Sequence, residues 1–533
     1  MQNLSFEFKN AVLNLAGLEA RVFIYTFENA YSLDPASAVY TEGKAICGLL
    51  TDGGKVTAEG QASVCWERKG DVLRVKIAVA GMRHRIRSVK LVVRSGTGRA
   101  VNLLDRAVRE KKDGAIYRYP EGWRTLDVPI LFWKETDGTL KYFRSVAGPM
   151  SPRTFAVLPC RGGTEVEMIY EPPAVSMTDS ICVPEWAIGT TTDAGEVYRA
   201  HTEELSSVYG WKNWEERQDV PQWMREVSLI AAIHGRHWTG YVFNDYKGMA
   251  RVLDWIAERI DGKRVLAYLP GWEGRYYYRY GIYGPDERMG GEKGFRYLCD
   301  SAKEKNIELM PMYGMHMASR DLPGFEEWGR TSELMSASGG CFSGSVDWDA
   351  SRHYDHSVNA QLNPGAPRWK SRLTEQIRRV SETYDLHAVF LDISAMYCND
   401  PRFDVYEGVR DLVHGIRAIN GGMLVAGEAW YDRLTDLFPL VQSGHTNGPL
   451  NWFDSVDSAH FDTYCRSFAH LLLGDPSRGS TGVHELGYNA VNRVPLRKGI
   501  IPTVTIVDGT IENCPEGVET VIGQAKKYAE RYL

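Results

Sequence analysis

Two short apolar runs, each ending in a single acid, constrain this chain most. Ala388-Val389-Phe390-Leu391-Asp392 and Leu424-Val425-Ala426-Gly427-Glu428 lie one strand–helix unit apart, with an amphipathic stretch at 405–419 between them. A run of this length that is apolar at every position suits a strand buried on both faces, as in a parallel sheet covered by helices. The same rhythm extends through the second half of the chain. Strands are expected at 227–233, 264–269, 307–312, 388–392, 423–428, 450–453, 483–486 and 501–507. Helices are expected at 246–260, 292–305, 367–384, 405–419 and 516–533. Eight such units predict a (β/α)8 TIM barrel over 216–533, with insertions after strands 2 and 3. The competing architecture is an open doubly wound sheet, which would place a glycine-rich phosphate loop after an early strand. Strand 1 runs instead into His234-Gly235-Arg236-His237-Trp238.

The first 215 residues have a different texture. Val72-Leu73-Arg74-Val75-Lys76-Ile77-Ala78-Val79 alternates with period two, and turn signals such as Asp52-Gly53-Gly54, Asp137-Gly138 and Gly162-Gly163 separate the strand-like runs. Asp137-Gly138 between two apolar runs reads as a hairpin. An N-terminal antiparallel β-sandwich over 1–215 is therefore expected, with the change of texture around Trp211–Arg217.

Composition narrows the partners. A net charge of -6 over 533 residues argues against a nucleic-acid partner. No run of 18 apolar residues marks a membrane span. The nine cysteines form no C-x-x-C pair and no zinc spacing, which reads as reduced thiols. The N-terminus lacks a basic region followed by an apolar one, so a cytoplasmic location is expected unless a leader has been removed. The 15 Trp and 28 Tyr supply apolar ring faces on which a sugar can stack. Whether the chain forms a homo-oligomer stays open.

A barrel assembles its site from the C-terminal ends of its strands. Those ends carry His234, His237 and Trp238 (strand 1), Trp272 and Glu273 (strand 2), and Tyr313 and His316 (strand 3). Strand 4 offers Asp392, Ser394 and Tyr397, and strand 5 Glu428, Trp430 and Tyr431. Strand 6 offers Trp452, Asp454 and Asp457, and strand 7 His484 and Glu485. Carboxylates, imidazoles and aromatics abound there, with no Lys and no reactive-looking Cys. Asp392 and Glu428 are the candidate catalytic pair, since glycosidic cleavage uses one carboxyl as acid and another as nucleophile or base. The plainer readings are a helix N-cap for Asp392 and an arginine partner on the barrel rim for Glu428. The candidate substrate-binding set is His234, Trp272, Tyr313, His316, Tyr397, Trp430 and His484: imidazoles to bond hydroxyls, rings to stack on sugars. Tyr276-Tyr277-Tyr278 with Tyr280 and Tyr283 forms an aromatic loop that reads equally as substrate rim or packing surface. His353-Tyr354-Asp355-His356 reads as a polar loop, so neither a metal nor another cofactor is expected.

The second half also resembles the barrel glycosidases that include α-amylases and endo-α-N-acetylgalactosaminidases. Phe390-Leu391-Asp392 and Ala426-Gly427-Glu428-Ala429-Trp430 occupy the places of that group's strand-4 nucleophile and strand-5 acid/base. Leu362-Asn363-Pro364-Gly365-Ala366-Pro367-Arg368-Trp369 is similar to uncharacterised members. The resemblance, over roughly 225–510, implies a glycoside hydrolase acting on an α-linked glycan, with Asp392 as nucleophile or base and Glu428 as general acid/base. Two departures point away from an ordinary amylase: Phe390 stands where amylases carry an Arg, and their strand-7 Asp has no counterpart beyond His484-Glu485. An exo-glycosidase on an acidic sugar such as sialic acid fits those departures, with Arg236, Arg275 and Arg320 as candidate pocket cations. A non-catalytic carbohydrate-binding barrel is the remaining alternative. A lyase or metal hydrolase would show Lys or His-x-His at the strand ends, and neither is present.

Overall fold

The computed structural model describes residues 10–101, 114–120, 126–237, 240–274, 280–341, 343–344, 359–428, 430–443, 462–469 and 496–533. The chain packs into two units, one on residues up to Gly210 together with Asn399–Asp404, the other from Trp211 onward.

The first unit is antiparallel, as its alternating sequence predicts. Strand Val72–Ala80, for example, pairs with Val56–Lys69 on one side and Trp186–Thr191 on the other. Among the described residues, 16 strands join into one hydrogen-bonded sheet where the sequence suggested two. A twisted sheet this wide curls over its own apolar face. Alternating residues such as Val22, Ile24, Val75, Ile77 and Val79 are buried within this unit. A helix at Ala194–Tyr209 follows, N-capped by the Asp193 side chain and stopped by Gly210 in the left-handed conformation.

The second unit is built on parallel strands β1 (Leu229–Ile233), β2 (Val265–Leu269), β3 (Glu308–Gly314), β4 (Ala388–Asp392), β5 (Leu424–Glu428), β6 (Leu440–Ser443) and β7 (Arg466–Ala469). The final strand, β8, is split into Ile500–Ile501 and Thr503–Ile506. The first half of β8 pairs with β7 and the second with β1, so the ring closes through this divided strand. Pro502 sits at the split. It has no N–H to give the ladder, but its carbonyl accepts from Ile230 N at 2.9 Å. Closure decides for the barrel against the open sheet. β1, β2, β4 and β5 are buried at every residue, which accounts for their uninterrupted apolar sequences.

Helices α1 (Tyr246–Ala257), α2 (Gly291–Glu304), α3 (Pro367–Tyr384), α4 (Val405–Arg417) and α5 (Pro515–Tyr532) fall where the helical periodicity put them. α3 begins with Pro at its first position and ends on Asp385 in the left-handed conformation. The sequence expectation fails at strands 6 and 7. The segments 450–453 and 483–486 lie outside the described residues, and the sixth and seventh places in the barrel are taken by Leu440–Ser443 and Arg466–Ala469. Among the described residues no helix is long and apolar enough to cross a membrane. None of the nine cysteines is joined in a disulfide.

Candidate active site

Asp392 and Glu428 are the last residues of adjacent strands β4 and β5. Register brings Asp392 level with Gly314 at the end of β3, and Glu428 level with Gln442 on β6. Both carboxyls are buried, Asp392 1% and Glu428 3% exposed. The next helix begins at Val405, too far for Asp392 to cap, and Glu428 Oε2 accepts the Ile393 backbone N–H at 2.8 Å.

The two carboxyls hydrogen-bond to each other. Burial is the first cause of elevated pKa at both, since the charged form loses its water. The charge of Glu428 raises Asp392 further, to well above the ordinary carboxylate range. Two carboxylates in contact cannot both ionise cheaply, so they hold a proton between them and titrate as a unit.

Each acid has its own tether. Tyr280 Oη donates to Asp392 Oδ2 at 2.5 Å. Its ring lies against Gly314, where a Cβ would come within 2.5 Å of it, so the glycine at the end of β3 is what lets the phenol reach Asp392. Glu428 is held by the N–H of Ile393, whose φ of 62° is left-handed. A β-branched residue there is strained. The Ser394 hydroxyl then donates to the Glu428 carbonyl at 2.6 Å, and Gly427 makes room for it, since a Cβ at 427 would lie 2.5 Å from Ser394 Oγ. Residues 392–394 and 427–428 thus form one interlocked corner.

The expected substrate-binding residues separate into several groups. His234 follows β1; its backbone N–H donates to Ile506 O, and its ring stands edge-on to Phe243 at 6.1 Å. His316, beyond β3, is fully buried, with Nδ1 3.0 Å from the Leu362 carbonyl. Burial lowers its pKa to about 4, so the ring is neutral, Nδ1 carries the proton and donates, and Nε2 meets no partner among the described residues. Tyr397 is half-buried, within electrostatic reach of Tyr431.

Three of the aromatic residues are buried. Trp272 is fully buried between Phe295 and Tyr313, at centroid distances of 5.0 and 5.7 Å, and its indole N–H donates to Met312 O. Tyr313, also fully buried, packs edge-on to Tyr283 at 4.8 Å and belongs to the same layer outside the strands. Trp430 is 3% exposed and its N–H is bonded to Thr435 Oγ1 at 2.9 Å, which ties it into its own loop. His484, Glu485, Trp238, Trp452, Asp454, Asp457, Arg275, Tyr276-Tyr277-Tyr278 and the 353–356 loop lie outside the described residues. Arg236 pairs with Asp286 and Arg320 with the buried Glu333, so the two described candidate cations already face carboxylates.

Tyr280 and Ile393 were not singled out by sequence. Tyr280 sits in a tyrosine-rich stretch with nothing to set it apart, and no side-chain pattern announces a left-handed isoleucine.

Fold and site together define a barrel protein with an interlocked acid pair at the ends of its fourth and fifth strands, preceded by an antiparallel β-domain. That architecture is shared with solved glycosidases. The GH36 α-galactosidase AgaA of Geobacillus stearothermophilus aligns over 99% of this chain and 81% of its own, at 11% identity and a TM-score of 0.55. The α-N-acetylgalactosaminidase NagBb of Bifidobacterium bifidum, in its Gal-NHAc-DNJ complex, aligns over 97% and 92%, at 12% identity and a TM-score of 0.63. At such identity the likeness establishes the fold alone. No protein-family model matches the chain. By sequence, 30% of it is similar, at 26% identity over 159 residues, to ditrans,polycis-undecaprenyl-diphosphate synthases of Salmonella paratyphi A and Salmonella typhimurium. The match spans 59% of the length of those enzymes.

Proposed function

We propose that this protein is a glycoside hydrolase cleaving an α-linked glycosidic bond, with Asp392 as nucleophile and Glu428 as general acid/base. One observation carries the reading: two buried carboxyls in hydrogen-bond contact at the C-terminal ends of adjacent barrel strands. The names of the structural neighbours, an α-galactosidase and an α-N-acetylgalactosaminidase, favour an α-galactoside or an α-N-acetylgalactosaminide over starch. The ion-paired state of Arg236 and Arg320 gives an acidic sugar no support.

The chemistry needs one proton on the pair. Glu428 in its acid form delivers that proton to the glycosidic oxygen while Asp392, ionised, attacks the anomeric carbon. Glu428 then takes a proton from the water that releases the glycosyl ester. The pair holds the single proton this step requires. Contact also bears on stereochemistry. Inversion needs carboxyls about 6.5–9.5 Å apart to seat a water, whereas retention needs about 5–5.5 Å. Acids this close stand nearer the retaining spacing than the inverting one, and retention is the outcome this reading expects once substrate enters between them.

Turnover of p-nitrophenyl α-galactoside and p-nitrophenyl α-N-acetylgalactosaminide tests the reading, with wild type, Asp392→Asn and Glu428→Gln. The expected result is turnover of at least one substrate and a loss of about 10²-fold or more in each variant. Wild-type protein inert on both, or variants as active as wild type, would overturn it.

A further inference from the structure

We infer that Tyr280 is a positioning residue that biases which member of the acid pair ionises: its hydroxyl donates to Asp392 and favours the carboxylate there against the pull of the Glu428 charge. The inference rests on the reading of Asp392 and Glu428 as the working acids, and it adds a residue that neither the sequence pattern nor the structural neighbours single out.

Two acids in contact with one proton present an ambiguity. Catalysis in the order described needs Asp392 ionised, yet Asp392 stands beside Glu428, whose charge favours protonated Asp392. Tyr280 works in the opposite direction. A hydroxyl donating to a carboxylate stabilises the charged form, and a neutral donor does so without an ion that would itself need to be desolvated. Tyr280 is fully buried and its oxygen is 2.5 Å from Asp392 Oδ2. Its backbone is anchored as well: Ser319 N donates to the Tyr280 carbonyl at 2.9 Å. The phenol is thus fixed from behind by β-structure at Met317–Ser319 and from the side by Gly314.

The other titratable groups nearby do not provide this bias. From β5, Asp392 faces Glu428. From the segment after β2, Tyr283 is within electrostatic reach, but its hydroxyl exchanges hydrogen bonds with the Gly314 backbone, at 2.7 Å to the nitrogen and 3.3 Å to the carbonyl. Glu273 acts on Tyr283, and Tyr283 in turn on Tyr313. His316, beyond β3, is neutral and turns Nδ1 to Leu362. The Ile393 N–H favours the ionised form of both acids, so it does not decide between them. Tyr280 therefore tilts the pair toward ionised Asp392, and removing its hydroxyl should move the proton.

The test is a titration of the free protein labelled with carboxyl-13C aspartate, with the Asp392 resonance identified by its loss in Asp392→Asn. Tyr280→Phe keeps the ring against Gly314 and removes only the hydroxyl. The expected result is an upward move of the Asp392 step by about one pH unit or more, with the acid limb of turnover moving the same way. Tyr283→Phe is the packing-matched control and should move the step far less. A step unmoved in Tyr280→Phe, or moved equally in Tyr283→Phe, overturns the inference. A step that moves in protein that cleaves no glycoside leaves Tyr280 in its role and removes the glycosidase reading instead. Ring-13C tyrosine in the unsubstituted protein gives a second check: the Tyr280 signal must shift at the pH where Asp392 titrates, and a flat signal counts against the inference.

Discussion

Ile393 donates its backbone N–H to Glu428 Oε2 at 2.8 Å from a φ of 62°. The left-handed turn of the chain directly after Asp392 is what aims that N–H across the gap to β5. An isoleucine held there costs roughly 1–2 kcal/mol in backbone sterics, and such strain is commonly found where a site has to be held in place.

That strain has a measurable counterpart. Ile393→Gly should change unfolding free energy in urea by less than about 1 kcal/mol, because relief of the left-handed conformation offsets the lost half-buried side chain. A loss above about 2 kcal/mol would mean that the side chain, not the strain, dominates this position.

The acid pair gives stability a pH dependence of definite sign. Both folded-state pKa values are raised above the reference values of 3.8 for Asp392 and 4.5 for Glu428. The folded protein therefore keeps protons that the unfolded chain releases. The pair's contribution is fully present below about pH 4 and is lost as pH rises through the folded-state values. Asp392→Asn removes the second charge, so its melting temperature should exceed that of wild type by a margin that widens from pH 4 upward. A margin that is constant or shrinks with pH would contradict the shared-proton account.

His316 acts in the opposite sense. Its folded pKa of about 4 lies below the reference value of 6.5, so the unfolded chain takes up a proton that the folded one refuses. Stability from this residue is present above pH 6.5 and is lost as pH falls toward 4, by roughly 3 kcal/mol at the lower end. His316→Asn should flatten the acid side of a plot of unfolding free energy against pH. An unchanged acid side would assign that loss to other groups.

The sequence revealed most where the environment is uniform. β4 and β5 are buried on both faces, so their apolar runs end at the residue where the barrel opens, and Asp392 and Glu428 stand out as the first polar groups. β6, Leu440-Val441-Gln442-Ser443, is four residues with a polar end, too short and mixed to show against its surroundings. β7 begins with Arg466, almost fully buried and paired with Glu215, a long-range contact that local pattern does not carry. The aromatic residues misled for a related reason. Trp272 follows a strand end as a sugar platform would, but the turn at Gly271 and the packing of Phe295 send it outward into the helix layer. Residue type says that a ring wants burial; only the fold says against what.

The most direct measurement of the central claim is the anomeric configuration of the first sugar released, read by proton NMR before mutarotation. Asp392 and Glu428 in hydrogen-bond contact leave no seat for a water between nucleophile and acid, and the account expects the α-anomer from an α-glycoside. Release of the β-anomer would contradict it.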